Sequence, residues 1–388
     1  MKYQTSKFCI QGGSILLPDG GIQETDILIS DGKIDAIGSS PNKTVKKLNA
    51  SGYMVLPGIV DLHGDAFERQ IMPRPGVSFP LTLAFLDTDR QLVANGITTA
   101  YHGITYSWEP GLRGRETVTK VMTALKNVSK RLGADTKCHL RFETFNFAAG
   151  DEVLNWILDR NIDFLAFNNH LPSIRKKIQE NQSLSQFLER SGLEKDAFLQ
   201  LVEKLSEREH ETTKLVEKLA KAARDHSISM ASHDDKTAAT RQFYNSLGCY
   251  ISEFPLTAEA INQAQELGNH IVLGAPNIIR GGSHMGASGL SAAESIKAGK
   301  GDILCSDYYY PALMQAPFKL VADKILEFGD SWGMVSKAPA QAAGLVDRGE
   351  IVEGKRADLI LVEELGLGQL DLKATFVNGR MVFQSGCL

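Results

Sequence analysis

The sequence predicts an α/β fold: a (β/α)8 TIM barrel carrying a small β-sandwich domain built from both ends of the chain. Three observations lead there. Between about residues 57 and 342, eight short apolar segments alternate with longer helix-like stretches. Both ends of the chain are instead made of short alternating segments broken by glycine. At 388 residues, the chain is long enough for one large barrel with an appendage.

The N-terminal segments are "KFCIQGGSILL", "ETDILISDGKIDAIG" and "KKLNASGYMVLPG", punctuated by Pro18-Asp19-Gly20 and Asp31-Gly32. The C-terminal ones are "GEIVEGKRADLILVE" and "ATFVNGRMVFQSG", the latter turning at Asn378-Gly379. Residues 1–56 and 343–388 are therefore expected to pair into one β-sandwich domain flanking a barrel of residues 57–342. The eight barrel strands are expected in "GIVDLH", "GITTAYHG", "KCHLRFET", "DFLAFNNH", "ISMASHDD", "GCYISEF", "HIVLGAPN" and "DILCSDYY". A Lys/Glu-rich stretch over about 173–226 is too long for one connection and reads as a helical insertion with a solvated face.

Composition narrows the function classes. A net charge of −4 gives no sign of a nucleic-acid or membrane-surface binder, though it leaves room for a small cationic pocket. The five cysteines are scattered, without a C-x-x-C pair, as expected of a reducing compartment without a thiolate zinc site. No apolar run reaches the roughly 18 residues of a membrane helix, and the first residues lack a signal-peptide pattern. The expectation is a cytoplasmic enzyme of a small-molecule substrate; a homo-oligomer is compatible.

Five strand candidates end in metal-capable residues: His63 with Asp65, Glu143, His170, His233 and Asp307. The C-terminal strand ends of a barrel open onto one face, so these residues converge there without a local motif. His63 and Asp65, two apart, point the same way from an extended strand. A glutamate such as Glu143 has two oxygens and can hold two metals roughly 3.5–4 Å apart. Histidine nitrogens suit zinc and its neighbours. Asp307 is placed both to ligate and to take a proton. Two divalent cations would be offset by Asp65, Glu143, Asp307 and a bridging hydroxide, which a buried site tolerates. Singly, each residue has a plainer reading: a strand-end His as a rim residue, Glu143 as an ion-pair partner of Arg141, Asp307 as a helix cap. The conjunction favours metal. His102, His139 (at the start of its strand) and His210 are given no ligand role.

"LPGIVDLHGD" followed by "GITT", with a C-terminal "G-x-I-x-x-G-K-x-A-D-L", resembles the amidohydrolase superfamily over essentially the whole chain. "MPRPGV", "MASHDDKT", "GAPNIIRGGSH" and "LCSDYYYP" resemble one branch of it, active in phosphonate degradation. The resemblance implies a metal-bearing barrel with a β-sandwich from both termini. It matches His63 and Asp65 to the first-strand ligands, Glu143 to the bridging carboxylate, His170 and His233 to the second metal's ligands, and Asp307 to the last-strand aspartate. It implies two divalent metal ions, zinc foremost, with manganese or iron compatible. The implied reaction removes pyrophosphate from a ribose 1-phosphonate 5-triphosphate through a metal-bridged hydroxide, so the substrate is a phosphorylated sugar.

Arg74, held between two prolines, and Arg280 with the loop Gly281, Gly282, Ser283 and His284 are the candidate phosphate contacts. Arg141, Arg175 and Asp234 are weaker candidates of the same kind. The chain departs from the branch at Ala66, at Asn146 within Thr144-Phe145-Asn146, and at Asn169. Cleavage of a C–N bond in an amide, cyclic amide or amino-heterocycle is the alternative. A non-catalytic scaffold of this fold is a third reading, against which the full ligand set counts.

Overall fold

The computed structural model describes residues 7–39, 45–282, 289–366 and 369–386. Ser283, His284 and Cys387 lie outside the described residues. The strands fall into two sheets. The first joins both ends of the chain: β1 (Phe8–Leu16), β2 (Ile22–Ser30), β3 (Lys33–Ile37), β4 (Lys46–Asn49) and β5 (Met54–Pro57) from one side. The barrel strands come next: β6 (Ile59–Gly64), β7 (Ile97–Tyr106), β8 (Asp135–Glu143), β9 (Phe164–Asn168), β10 (Ser229–His233), β11 (Ile251–Glu253), β12 (His270–Gly274) and β13 (Ile303–Cys305). Finally β14 (Leu359–Gly366), β15 (Gln369–Val377) and β16 (Arg380–Gln384) return to the first sheet.

The two ends meet where β5 pairs antiparallel with β14, Pro57 opposite Leu359 and Met54 opposite Val362. The mostly antiparallel order is β16-β15-β14-β5-β1-β2-β3, with β4 beside β1. Ile10, Ile27, Val55, Leu359 and Phe376 form its core. The second sheet runs β13 to β6 in unbroken sequence order, all parallel. Parallel strands are covered on both faces, and every residue of β6 and β7 is buried.

Period-2 alternation sorts the barrel's side chains. On β8, Cys138, Leu140 and Phe142 pack outward against Val121, Leu125 and Val153 of the helix layer. On the inside, Val60, Phe164, Ala166, Ala231, Val272 and Ile303 fill the barrel. The opposite set on β8 is His139, Arg141 and Glu143, polar and buried.

The Lys/Glu-rich stretch forms helices over Leu171–Gln179, Ser185–Ser191, Lys195–Ser206 and Thr212–Asp225. The last belongs to the barrel's own helix layer, since Val216, Leu219, Ala220 and Ala223 share the cluster of Val121 and Phe142. The added part is thus shorter than the sequence suggests. It has a satellite core of Leu171, Ile174, Phe187, Phe198 and Val202.

The terminal sheet is fixed near the N-terminal ends of the barrel strands. Trp332 Nε1 donates to the Pro57 carbonyl at 3.0 Å, and Arg348 reaches Asp135 at 2.6 Å and Thr99 at 2.8 Å. That leaves the C-terminal strand ends, where barrel enzymes place their chemistry, clear of it. No helix among the described residues is long and apolar enough to cross a membrane. Cys9, Cys138, Cys249 and Cys305 are buried and unbonded.

Candidate metal centre and active-site cavity

Barrel closure assembles the first donor group. β6 and β13 are the two ends of the parallel order, and past them Asp65 N–H donates to the Asp307 carbonyl and Asp307 N–H to the His63 carbonyl, both at 2.9 Å. Asp61 ties the same seam, accepting from Ser306 N–H at 3.0 Å and from its hydroxyl at 2.6 Å. His63, Asp65 and Asp307 consequently offer one donor atom each, all within 4.8 Å of one another. Pairing of β6 with β7 slips between Asp61 and Gly64, and such irregularities re-aim side chains.

Gly64 sits between the two ligand candidates because nothing larger fits. A Cβ there would lie 2.9 Å from the Asp61 carboxylate and the Ser306 hydroxyl and 3.0 Å from the Tyr310 ring. Gly64→Ala is expected to lower stability by about 1–3 kcal/mol through overpacking and to weaken metal binding. Thermal melting with and without metal checks this; unchanged melting contradicts it.

Glu253, at the end of β11, organises the histidines. Its Oε2 lies 3.3 Å from His63 Nδ1 and 3.3 Å from His233 Nδ1. A carboxylate accepts, so each ring carries its proton on Nδ1 and presents a bare Nε2. His63 Nε2 is buried without a partner, while His233 Nε2 accepts from the Arg141 guanidinium at 3.2 Å. Burial, partly opposed by Glu253, lowers His63 to about 4, so the ring is neutral and ready to ligate. His139 is not at the start of its strand: it is fully buried in the middle of β8, its Nδ1 2.9 Å from the Leu62 carbonyl and its Nε2 3.8 Å from Glu253.

A second donor group comprises His170, His233 and Asp234. Asp234 lies 3.4 Å from His170 Nε2 and 3.6 Å from His233 Nε2. Glu143 stands behind His170, hydrogen-bonded to Nδ1, rather than between the two groups. The bridging position expected of Glu143 is held instead by Arg141, 3.0 Å from Asp65 and 3.2 Å from His233. Burial works against the charge on His170, but Glu143 and Asp234 outweigh it and raise the ring to about 9. Asp307 is raised to about 7, first by burial and then by Asp65.

Backbone geometry at these strand ends is unusual. Asp234, Phe254 and Asp307 have φ of 60°, 50° and 53°, conformations costing of order 1–3 kcal/mol each outside glycine. Each is held by an adjacent strand: Asp234 N–H donates to Glu253 and Phe254 N–H to Val272.

The residues fit divalent metal. Bonds of roughly 2.0–2.2 Å place two donors on one ion no more than about 4.4 Å apart, close to the spacing in both groups. His63 Nε2 is orphaned, and it faces Gly103, where a Cβ would come within 3.5 Å of it. Three carboxylates, Asp65, Asp234 and Asp307, line the cavity together, and burial followed by the charge of Asp65 raises Asp307. Arg141 caps one donor in each group, Asp65 in the first and His233 in the second.

Asp65 and Asp307 of the first group and all three residues of the second line a cavity of about 470 Å³, with His63 buried behind it. Arg113, Arg141, Lys177, Arg190 and Lys236 line it. Arg74 does not. It is exposed, and its carbonyl accepts from Val77 N–H at 3.0 Å, so Pro-Arg-Pro-Gly is a surface turn. Arg280 is exposed beyond the cavity wall, 3.4 Å from the hydroxyl of Tyr308, which does line it. Gly281 (φ 76°) ends the helix Ala275–Arg280 as its left-handed cap, and Gly282 follows it outside the cavity lining. Arg175 pairs with Glu209 at 3.3 Å. His102 is buried between Phe67 and Phe85, and His210 is exposed.

Glu253, His139 and the cavity cations Arg113, Lys177, Arg190 and Lys236 escape the sequence reading. The available signal for His139 was its parity with Arg141 and Glu143. For Glu253 it was an acidic residue closing a strand that is otherwise buried.

No family model matches the chain. It is 32% identical over 364 residues, 92% of this chain and 95% of the relative, to the α-D-ribose 1-methylphosphonate 5-triphosphate diphosphatase of Escherichia coli K12. A crystal structure described as an amidohydrolase superposes with a TM-score of 0.67 at 16% identity, covering 98% of this chain and all of that one. Dihydropyrimidinase from Brevibacillus agri gives a TM-score of 0.60 at 12% identity, covering 97% of this chain and 95% of that one. At these identities the two structures speak to the fold alone. With a relative of this similarity along nearly its whole length, the chain belongs to the amidohydrolase superfamily of metal-dependent hydrolases, in the family that contains this diphosphatase.

Proposed function

We propose that the chain hydrolyses a phosphoanhydride of a ribose 1-phosphonate 5-triphosphate and releases pyrophosphate. One observation carries the reading: the same cavity is lined by carboxylate and histidine metal donors and by five cationic side chains, as a polyanion presented to metal requires. His63, Asp65 and Asp307 would hold one divalent ion, and His170, His233 and Asp234 a second, zinc foremost. When bound, such ions acidify water and neutralise charge on phosphoryl oxygens. Asp307, at the end of the last barrel strand beside the donor groups, would take the proton of the attacking water. The water oxygen bonds to the α-phosphorus, and the bridging oxygen leaves with pyrophosphate. Arg141, next to both donor groups, is placed to stabilise the phosphoryl oxygens as charge develops.

The test is a substrate panel with the chain loaded in turn with zinc and manganese. Pyrophosphate release from the ribose 5-triphosphate phosphonate is expected, with much slower turnover of amides, cyclic amides and amino-heterocycles. Turnover confined to C–N substrates overturns the proposal.

A further inference from the structure

The donor groups account for only part of the cavity; another part of its wall comes from the helix that begins beside His170 and from the loop after β10. His170 immediately precedes the helix Leu171–Gln179, on which Ser173, Ile174 and Lys177 line the cavity. Positions 170, 174 and 177 follow one another along a helix face. At about 1.5 Å per residue, Lys177 sits roughly 10 Å along the axis from the metal donor. Lys236, three residues past His233, reaches the same wall, with Nζ 2.7 Å from the Ser173 hydroxyl.

These two lysines differ from the other cations. Arg113 is paired with Glu68 at 2.8 Å, Arg190 with Glu109, and Arg141 with Asp65 at 3.0 Å. Among the described residues, neither Lys177 nor Lys236 has a carboxylate oxygen within 4.0 Å of its Nζ, although Lys176, beside Lys177 in sequence, pairs with Glu180 at 3.7 Å. Lys177 is also positioned rather than loose. Its Nζ lies 5.4 Å from the centre of the buried Phe187 ring, and the Arg190 guanidinium lies 4.9 Å from it. The wall therefore carries uncompensated positive charge at a fixed distance from the donors.

We propose that Lys177, Lys236 and Ser173 form the subsite for the distal phosphates of a polyphosphate chain, the end that departs as pyrophosphate. The subsite rests on the functional reading above for its catalytic meaning, but its ligand chemistry, a linear polyphosphate, stands on the geometry. It also gives the added helices a role. They bring no metal donor beyond His170, and they supply Lys177, with its supporting Phe187 and Arg190, to grip the leaving group. Two lysines, Lys236 on the Ser173 hydroxyl and Lys177 one helical turn further on, would distinguish a chain of phosphates from a single phosphate held at the donor groups.

The experiment compares wild type with the Lys177→Met/Lys236→Met double variant, as full chains loaded with manganese. Binding of inorganic tripolyphosphate, supplied as its magnesium complex, and of orthophosphate is measured by calorimetry. Tripolyphosphate affinity is expected to fall at least tenfold in the double variant, with orthophosphate affinity changed less than twofold. Lys177→Arg/Lys236→Arg is expected to restore most of the loss, separating charge from folding. Equal tripolyphosphate affinities in wild type and the methionine variant overturn the subsite. If both ligands weaken together, or if arginine does not rescue, the subsite also falls. Should tripolyphosphate binding depend on the lysines while wild type releases no pyrophosphate from the ribose 5-triphosphate, the subsite stands and the diphosphatase reading fails. Should pyrophosphate be released with the same KM in wild type and the methionine variant, the reading stands and the subsite fails.

Discussion

Glu253→Gln is expected to lower affinity for divalent metal by about 10–100-fold, with a parallel loss of kcat/KM. The side chain is isosteric and the position fully buried, so the change is one of charge. The carboxylate accepts from Nδ1 of both His63 and His233. A glutamine can keep its carbonyl oxygen where Oε2 sits, but it lacks the negative charge that polarises both rings, so their Nε2 lone pairs become weaker donors to a metal. Calorimetric titration of the metal-free variant with manganese measures the effect, and circular dichroism checks that the fold is retained. Wild-type affinity in a folded Glu253→Gln chain would show that the histidines are oriented without Glu253.

Asp307→Asn is expected to lower kcat by about 10²–10⁴-fold, the range for loss of a positioned proton acceptor. Asparagine tolerates the left-handed φ of 53° as well as aspartate does, so the backbone should be unaltered. In the metal-free chain the same substitution is expected to raise the melting temperature, because it removes one of three carboxylates, with Asp65 and Asp234, that share a wall of the cavity. Less activity with more apo stability marks a residue kept for chemistry rather than for folding. Steady-state kinetics on the loaded enzyme and melting in chelator provide the two readouts. A kcat within fivefold of wild type contradicts the role given to Asp307.

Much of the barrel was legible because parallel strands are short, apolar and separated by helix-length spacers, and each of the eight segments overlaps its strand. The convergence of His63, Asp65 and Asp307 follows from strand order, since the first and last barrel strands must meet. What pattern could not convey was partnership. Glu143 has the chemistry of a bridge, yet its neighbour across the β8–β9 pairing is Asn168 and its hydrogen bond goes to His170. Pro-Arg-Pro restricts the backbone around Arg74 in a surface turn just as it would in a binding loop, so rigidity alone said nothing about where the guanidinium points. Lys177 and Lys236 lie in stretches whose charge resembles any solvated helix; only the tertiary fold puts them in the lining of one cavity with His170 and Asp234. The left-handed residues at 234, 254 and 307 are set by neighbouring strands and have no local signal.

The central claim is that the C-terminal strand ends form the metal-binding active site. Anomalous diffraction from crystals of the manganese-loaded chain tests it most directly. The account predicts an anomalous peak within bonding distance of His63 Nε2, Asp65 and Asp307. With full loading, a second peak is predicted at His170, His233 and Asp234, with Arg141 withdrawn from His233. Manganese bound only elsewhere, or His63 Nε2 left without a metal at saturating manganese, would contradict it.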